Sequence, residues 1–249
     1  MPKLMDQDAS QTHKTLHGFN FSAVKIDDLG ASEYTIVTVV QDISGSVGPF
    51  SKEMEATLKK ILEACQKSPR SENLLIRLVA FNNNVHEIHG FRELKTINQD
   101  EYTDILNCYG STALMDATLN SAEATEAYGA QLDSMDYRSN GIMFVISDGK
   151  DNSSVVVRNP SEIKQCFKKI RAGEIALESF NAILIGVGDD PNDIDYLKNL
   201  SADSGFDQFV EMGAATPANL AKLAEFISNS ISSTSQALGT GQPSQQLTF

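Results

Sequence analysis

Short apolar runs alternate along the chain with longer segments in which apolar residues recur every three or four positions. The run at residues 35–40, Thr-Ile-Val-Thr-Val-Val, is rich in β-branched residues and has no polar break. Such a run is typical of a strand that is buried on both faces, as in a parallel sheet. Residues 85–91 instead alternate between apolar and polar, which favours a hairpin partner at the edge of a sheet. The predicted strands are residues 35–40, 74–81, 85–91, 141–146, 180–187 and 207–212.

The segments with a helical spacing lie between these strands. In residues 49–65 the apolar side chains recur at spacings of three and four, and the last helix carries a similar stripe from Leu220 to Ile231. The other predicted helices are residues 114–128, 160–172 and 193–201. Alternating strands and helices predict an α/β fold: a doubly wound, mostly parallel six-stranded sheet with one antiparallel edge strand and helices on both faces.

The two ends of the chain lack this alternation, and we divide the chain accordingly. Residues 1–33 form an N-terminal extension, which packs as an irregular lead-in or as a short extra strand. Residues 34–231 form one domain without an internal linker. Residues 232–249 are an uncharged, low-complexity C-terminal tail, which is either disordered or a short extended peptide that docks through Leu247 and Phe249 on this or another chain.

Charge and cysteine usage narrow the classes of function. The 249 residues carry a formal net charge of −13 and have a pI near 4.7. This balance argues against binding to nucleic acid, whose affinity rests on Lys and Arg, and against adhesion to an anionic membrane. No apolar run is long enough to span a membrane, and the N-terminus lacks a signal-peptide core. Three widely spaced cysteines predict neither a disulfide framework nor a zinc site, so we expect a cytoplasmic protein.

Oxygen-bearing side chains follow the predicted strands where those strands end. Asp42, Ser44 and Ser46 follow the first core strand, Ser111 and Thr112 open a helix, and Asp148 follows a second core strand. In a doubly wound sheet these loops flank the crevice at the topological switch point, where the oxygens can converge. An all-oxygen set with two carboxylates suits Mg²⁺, with Mn²⁺ or Ca²⁺ as alternatives. Each residue alone fits a helix cap or a turn equally well.

The combination resembles a known motif. Asp42-Ile-Ser44-Gly-Ser46, then Gly110-Ser-Thr112-Ala-Leu, then Ile146-Ser-Asp148-Gly are similar to the metal-ion-dependent adhesion site of von Willebrand factor A (VWA) domains. The three parts occur in the order of the family and at the expected strand ends. The resemblance covers residues 34–231 and implies a Rossmann-like VWA fold of the bacterial stand-alone cytoplasmic type.

The resemblance implies roles for these residues. Ser44 and Ser46 would bind the metal directly, and Thr112 would do so directly or through water. Asp42 and Asp148 would hold coordinated waters or bind the metal. An open coordination position would accept an Asp or Glu of a partner protein, and the last helix would shift if the domain has states of low and high affinity.

Three functions therefore compete. The first is a metal-dependent protein-interaction module without catalysis, an accessory of a bacterial ATPase, kinase or stress-response system. The second is a self-assembling subunit whose tail or acidic residue fills a neighbour's site, which keeps a homo-oligomer possible. The third is a Mg²⁺-dependent phosphoester hydrolase. No His lies near the three loops, and Lys150 is the only candidate to clamp a phosphate, so we expect a binding protein and not an enzyme.

Overall fold

The computed structural model describes residues 10–172, 177–242 and 246–249, which form one sheet of eight strands with helices on both faces. The strands are β1 Ser10–Lys14, β2 Asn20–Val24, β3 Glu33–Asp42, β4 Leu74–Phe81, β5 Val85–Glu93, β6 Arg138–Ser147, β7 Leu177–Val187 and β8 Gln208–Gly213. The helices are α1 Ser51–Gln66, α2 Leu114–Ser134, α3 Pro160–Arg171, α4 Pro191–Ser204 and α5 Pro217–Thr240. No helix among these residues is long and apolar enough to cross a membrane.

The sheet has the order β1-β2-β5-β4-β3-β6-β7-β8. Strands β4, β3, β6, β7 and β8 run parallel, and β5 is antiparallel to β4. Strand β3 lies at the centre, where Val37 pairs with Ile76 on one side and with Ile142 on the other. The predicted α/β fold with a doubly wound, mostly parallel sheet is confirmed.

The core consists of two layers, one on each face of the sheet. Helices α1 and α5 cover one face, where Leu58 and Ile227 belong to the same buried apolar cluster. Helices α2, α3 and α4 cover the other face, with Tyr128 and Phe167 in the second cluster. Alternate residues of β3 point into the two layers, which explains its unbroken apolar run.

The sheet has two strands more than the six predicted, because residues 10–24 form β1 and β2. Strand β2 lies beside β5, so β5 is not the edge strand that its alternation predicted. The carboxylate of Glu87 accepts hydrogen bonds from Ser22 N (2.9 Å) and from the buried guanidinium of Arg77 (2.7 Å). A side chain at Gly90 would place its Cβ 1.9 Å from Ser22 O, so the close approach of β2 needs a glycine there.

The last helix does not end at Ile231, as its apolar stripe predicted, but continues to Thr240. Polar contacts hold this added part against β6 and against the connection between α1 and β4. Asn140 Nδ2 donates to Thr234 O (2.8 Å), and Arg70 Nε donates to Ser235 Oγ (3.0 Å). These polar partners lie far away in the sequence, so the apolar stripe of the helix does not indicate them.

The described end of the chain, residues 246–249, packs against β8 and α5. Gln208 Nε2 donates to Leu247 O (3.0 Å), and the rings of Phe226 and Phe249 meet edge to face with centroids 5.6 Å apart. The tail therefore docks on its own chain, one of the two possibilities that its apolar end left open. The tail's residues 243–245 lie outside the described residues. The division into 1–33, 34–231 and 232–249 stays a prediction.

Candidate metal centre

Asp42 is the last residue of β3, and its side chain is completely buried. One carboxylate oxygen accepts a hydrogen bond from Ser44 N (2.7 Å), and the other accepts one from Ser147 Oγ (2.6 Å). Ser147 ends the neighbouring strand β6, so the carboxylate joins the ends of two adjacent parallel strands. This position is the crevice beyond the carboxyl ends of the strands in which open α/β sheets bind ligands.

The hydroxyls of Ser44 and Ser46 lie between this carboxylate and that of Asp148. Residues Gly45–Phe50 form a 3₁₀ helix, so α1 begins at Ser51 and not at residue 49. The two serine Oγ atoms are 3.1 Å apart, and Ser46 Oγ donates to Asp148 Oδ1 (3.0 Å). Four of the five predicted site residues thus lie in one cluster of oxygen atoms.

Thr112, the fifth predicted residue, lies in the loop that opens α2. Gly45 N donates to Gly110 O (3.1 Å), which joins this loop to the serine turn. Thr112 N donates to Asn152 Oδ1 (2.8 Å), and Thr112 O accepts from Asn152 N (3.0 Å). The threonine is therefore tied to the loop after β6, four residues beyond Asp148. Gly110 has a φ of +79°, a conformation that favours glycine.

Two further aspartates fix the loop after β6 onto the start of α2. The buried carboxylate of Asp116 accepts hydrogen bonds from Val155 N (2.8 Å) and Val157 N (2.7 Å). Asp151 Oδ2 accepts from Met115 N (2.8 Å) at the helix N-terminus, where a negative charge is favoured. Both carboxylates act on backbone N–H groups, so they support the cluster by holding its loops.

The electrostatics of the cluster suit a cation. Burial raises the pKa of Asp42 to about 6, against hydrogen bonds from Ser147 and Ser44 that lower it, and the charge of Asp148 raises it further. Burial also raises the pKa of Asp148. No ion pair between described residues includes either carboxylate. A buried acid without a cationic partner is costly, and a divalent ion would offset that cost.

The donor set also fits a particular class of metal. Two carboxylates with hydroxyls are hard oxygen ligands, which suit Mg²⁺, Mn²⁺ or Ca²⁺. Within the part of the chain that the structure describes, no group of three or more His, Cys, Asp and Glu is arranged to hold a metal ion. The candidate centre thus depends on its hydroxyls as much as on its acids.

Sequence reasoning missed the residues that orient the site. Ser147 bonds the buried oxygen of Asp42, and Asn152 holds Thr112. The run 148–154, Asp-Gly-Lys-Asp-Asn-Ser-Ser, carries a signal, because Asp, Asn and Ser bond backbone groups in turns.

A model of a known protein family matches most of the chain. A family model for the von Willebrand factor type A domain matches residues 36–237. Comparison with curated protein sequences found no match.

Several solved structures share the fold. The PilB minor pilin from Streptococcus sanguinis has a TM-score of 0.59 and 14% identity over 91% of this chain and 67% of that one. The pilus adhesin SpaC from Lactobacillus rhamnosus GG has a TM-score of 0.55 and 10% identity over 82% of this chain and 30% of that one. Proximal thread matrix protein 1 from the mussel byssus, with a zinc-occupied MIDAS motif, has a TM-score of 0.52 and 15% identity over 80% of this chain and 46% of that one. This chain spans less than half of the last two, and at these identities the likeness concerns the fold alone.

Proposed function

The chain belongs to the von Willebrand factor type A domain family, and from this premise we propose that it captures a carboxylate of a partner protein at a Mg²⁺ site. Domains of this family are commonly metal-dependent protein-interaction modules. The observation that carries the proposal is the continuous series of hydrogen bonds from Asp42 through Ser44 and Ser46 to Asp148. Ser46 is exposed, so a partner protein can reach the cluster at the carboxyl ends of the strands.

The proposed ligands are the five residues Asp42, Ser44, Ser46, Thr112 and Asp148. A bound Mg²⁺ would supply a positive charge that attracts a partner's Asp or Glu. The chain's own contribution is orientation: Ser147 holds one oxygen of Asp42, and Ser44 N holds the other. Asn152 holds the backbone of Thr112 in place. Such partners fix the direction of ligand atoms before a metal arrives.

We propose binding without catalysis, since no histidine among the described residues forms a hydrogen bond with the cluster. Of the histidines on β5, His86 contacts the side chain of Asn82 (3.2 Å), and His89 is buried against the hydroxyl of Tyr102 (2.6 Å). Lys150, the candidate clamp for a phosphate, forms an ion pair with Asp193, in which Nζ lies 3.4 Å from Oδ1. A hydrolase would need a general base and a clamp for the leaving group, and these contacts supply neither.

The cellular setting is also a proposal. We place the protein in the bacterial cytoplasm, as an accessory of an ATPase, kinase or stress-response system. Free Cys65, Cys108 and Cys166 fit a reducing compartment. Assembly through a tail that fills a neighbour's site is less favoured, because Leu247 and Phe249 contact their own chain.

Affinity capture from the native host tests the proposal. The immobilised chain is incubated with extract in Mg²⁺ or in EDTA, and captured proteins are identified by mass spectrometry. We expect a partner that is present in Mg²⁺ and lost in EDTA and with Asp42→Asn. Met135→Ser is the matched control, because Met135 is exposed beyond the far end of α2. A partner whose capture is indifferent to EDTA and to Asp42→Asn refutes the metal-bridge mechanism.

A further inference from the structure

Helix α3 and the turn before it are basic, although the chain as a whole is acidic. Residues 158–171 contain five of the chain's 20 Lys and Arg residues and a single acid, Glu162. The carboxylate of Glu162 accepts hydrogen bonds from Arg158 N and Asn159 N (both 2.9 Å), so it lies at the first turn and not among the later cations. In a chain of net charge −13, this helix is therefore a local surface of positive potential.

The helical spacing places two of these cations side by side on the outer face of α3. Ile163, Phe167 and Ile170 are buried in the apolar cluster beneath the helix. Lys164 and Lys168 are four residues apart and exposed, so they are neighbours on one face. Two like charges at this spacing repel each other and weaken the helix slightly. A partner that brings carboxylates to this face would remove that cost.

The cations that flank this pair already have partners. Lys169 Nζ lies 2.8 Å from Oε1 of Glu126, a buried residue of α2. Arg171 forms an ion pair with Asp207 and also donates a hydrogen bond to Gly205 O (3.0 Å). The flanking cations therefore occupy both of these acids.

Lys164 and Lys168 have no such acidic partner. Within residues 10–172, 177–242 and 246–249, no ion pair includes either lysine. The neighbouring helix α4 exposes Asp195 and Asp203, and neither of these described residues pairs with the two lysines. The two lysines of α3 are therefore available to carboxylates from outside the chain.

We propose that the outer face of α3 binds an acidic segment of a partner protein, in which two carboxylates face Lys164 and Lys168. Residues four apart on a helix have Cβ atoms about 6 Å apart, which matches two acids at the same spacing on a partner helix. A short protein segment fits better than nucleic acid or an anionic membrane, because the net charge of −13 repels an extended negative surface.

This contact needs no metal, since the basic face leads away from the metal centre. Arg171 pairs with Asp207, which precedes the first residue of β8, whereas Asp42 is the last residue of β3. Because β3, β6, β7 and β8 run parallel, α3 extends towards the end of the sheet opposite to the metal centre. The inference is therefore independent of the proposed function.

Two helical peptides labelled with fluorescein test the inference by fluorescence anisotropy with the full chain. One peptide carries Glu at every fourth position of an alanine background, and the other carries Gln at the same positions. In EDTA at low salt we expect the Glu peptide to bind at least about tenfold more tightly than the Gln peptide, because only the former pairs with the two lysines. Added Mg²⁺ should leave this preference unchanged.

The double variant Lys164→Glu with Lys168→Glu should lose the preference for the Glu peptide. The matched control is Lys60→Glu with Lys222→Glu, which changes the net charge equally at exposed positions of α1 and α5, on the other face of the sheet, and should keep the preference. Equal binding of the two peptides, a preference that requires Mg²⁺, or the same result for both double variants overturns the inference. Tighter binding of oligothymidylate or of phosphatidylserine vesicles than of the Glu peptide would show another class of partner and would overturn it as well.

Discussion

Replacement of Asp42 by asparagine gives the sharpest test of the metal centre. Asp42 is completely buried, and burial raises its pKa from 3.8 to about 6. The folded chain therefore keeps the proton at a pH where the unfolded chain has lost it. The free energy of unfolding therefore falls as the pH rises from the pKa of the unfolded chain to that of the folded chain. Above the folded pKa, this contribution to stability is lost completely. A rise of this size corresponds to about 3 kcal/mol, since one pKa unit corresponds to about 1.4 kcal/mol.

The asparagine has the same shape and no charge. Its amide oxygen can accept from Ser44 N, and its amide nitrogen can donate to Ser147 Oγ, so both hydrogen-bond partners of Asp42 stay satisfied. In EDTA near pH 8 we expect the free energy of unfolding of Asp42→Asn to be about 3 kcal/mol higher than that of the parent chain. Near pH 4 the two should be equal, because the parent is then protonated. Asp42→Ala should lack this gain, because it leaves both donors without a partner.

Urea unfolding, followed by circular dichroism, measures these differences. Mg²⁺ should reverse the order: at one thousand times its Kd it stabilises the parent by about 4.1 kcal/mol and leaves Asp42→Asn unchanged. Loss of stability in Asp42→Asn in EDTA near pH 8 would refute the argument from burial. Equal stabilisation of both chains by Mg²⁺ would show that Asp42 is not part of the metal site.

Three further predictions concern the supports of the site and of α5. Ser46→Ala should lower Mn²⁺ affinity more than about tenfold, as measured by calorimetry, and change the unfolding free energy by less than about 1 kcal/mol, since its hydroxyl is exposed. Asp116→Ala should cost about 3 kcal/mol or more in urea unfolding, because it leaves the N–H groups of Val155 and Val157 without their partner; a cost below about 1 kcal/mol would contradict this role. Arg70→Ala should speed amide hydrogen exchange in residues 232–240 but not in 217–228, and uniform exchange along α5 would argue against a local anchor.

The parts of the fold that the sequence predicts are those with local causes. The apolar run of β3 and the oxygens of Asp42, Ser44 and Ser46 stand next to each other in the chain, so strand and turn can be inferred together. Prolines at the first position of α3, α4 and α5 likewise mark the starts of these helices.

The parts that the sequence does not predict depend on distant partners. Strand β2 joins the sheet because Ser22 meets Glu87, and because Gly90 leaves room for its backbone. Helix α5 passes Ile231 because Asn140 and Arg70 bond its polar end. The orientation of the metal centre depends on Ser147 and Asn152 in the same way. None of these pairs has a periodic signal, so only the folded chain reveals them.

The anchoring of α5 has a consequence for how the site is controlled. A shift of this helix would break the contacts of Asn140 with Thr234, of Arg70 with Ser235 and of Phe226 with Phe249. At about 1 kcal/mol for each contact, the shifted form would cost about 3 kcal/mol and occupy less than about 1% of the molecules. The family resemblance implies that such a shift would switch the domain between low and high affinity. In this chain the three contacts favour the unshifted helix. Under the proposed function, the concentration of the free divalent cation would therefore set the fraction of molecules that can hold a partner.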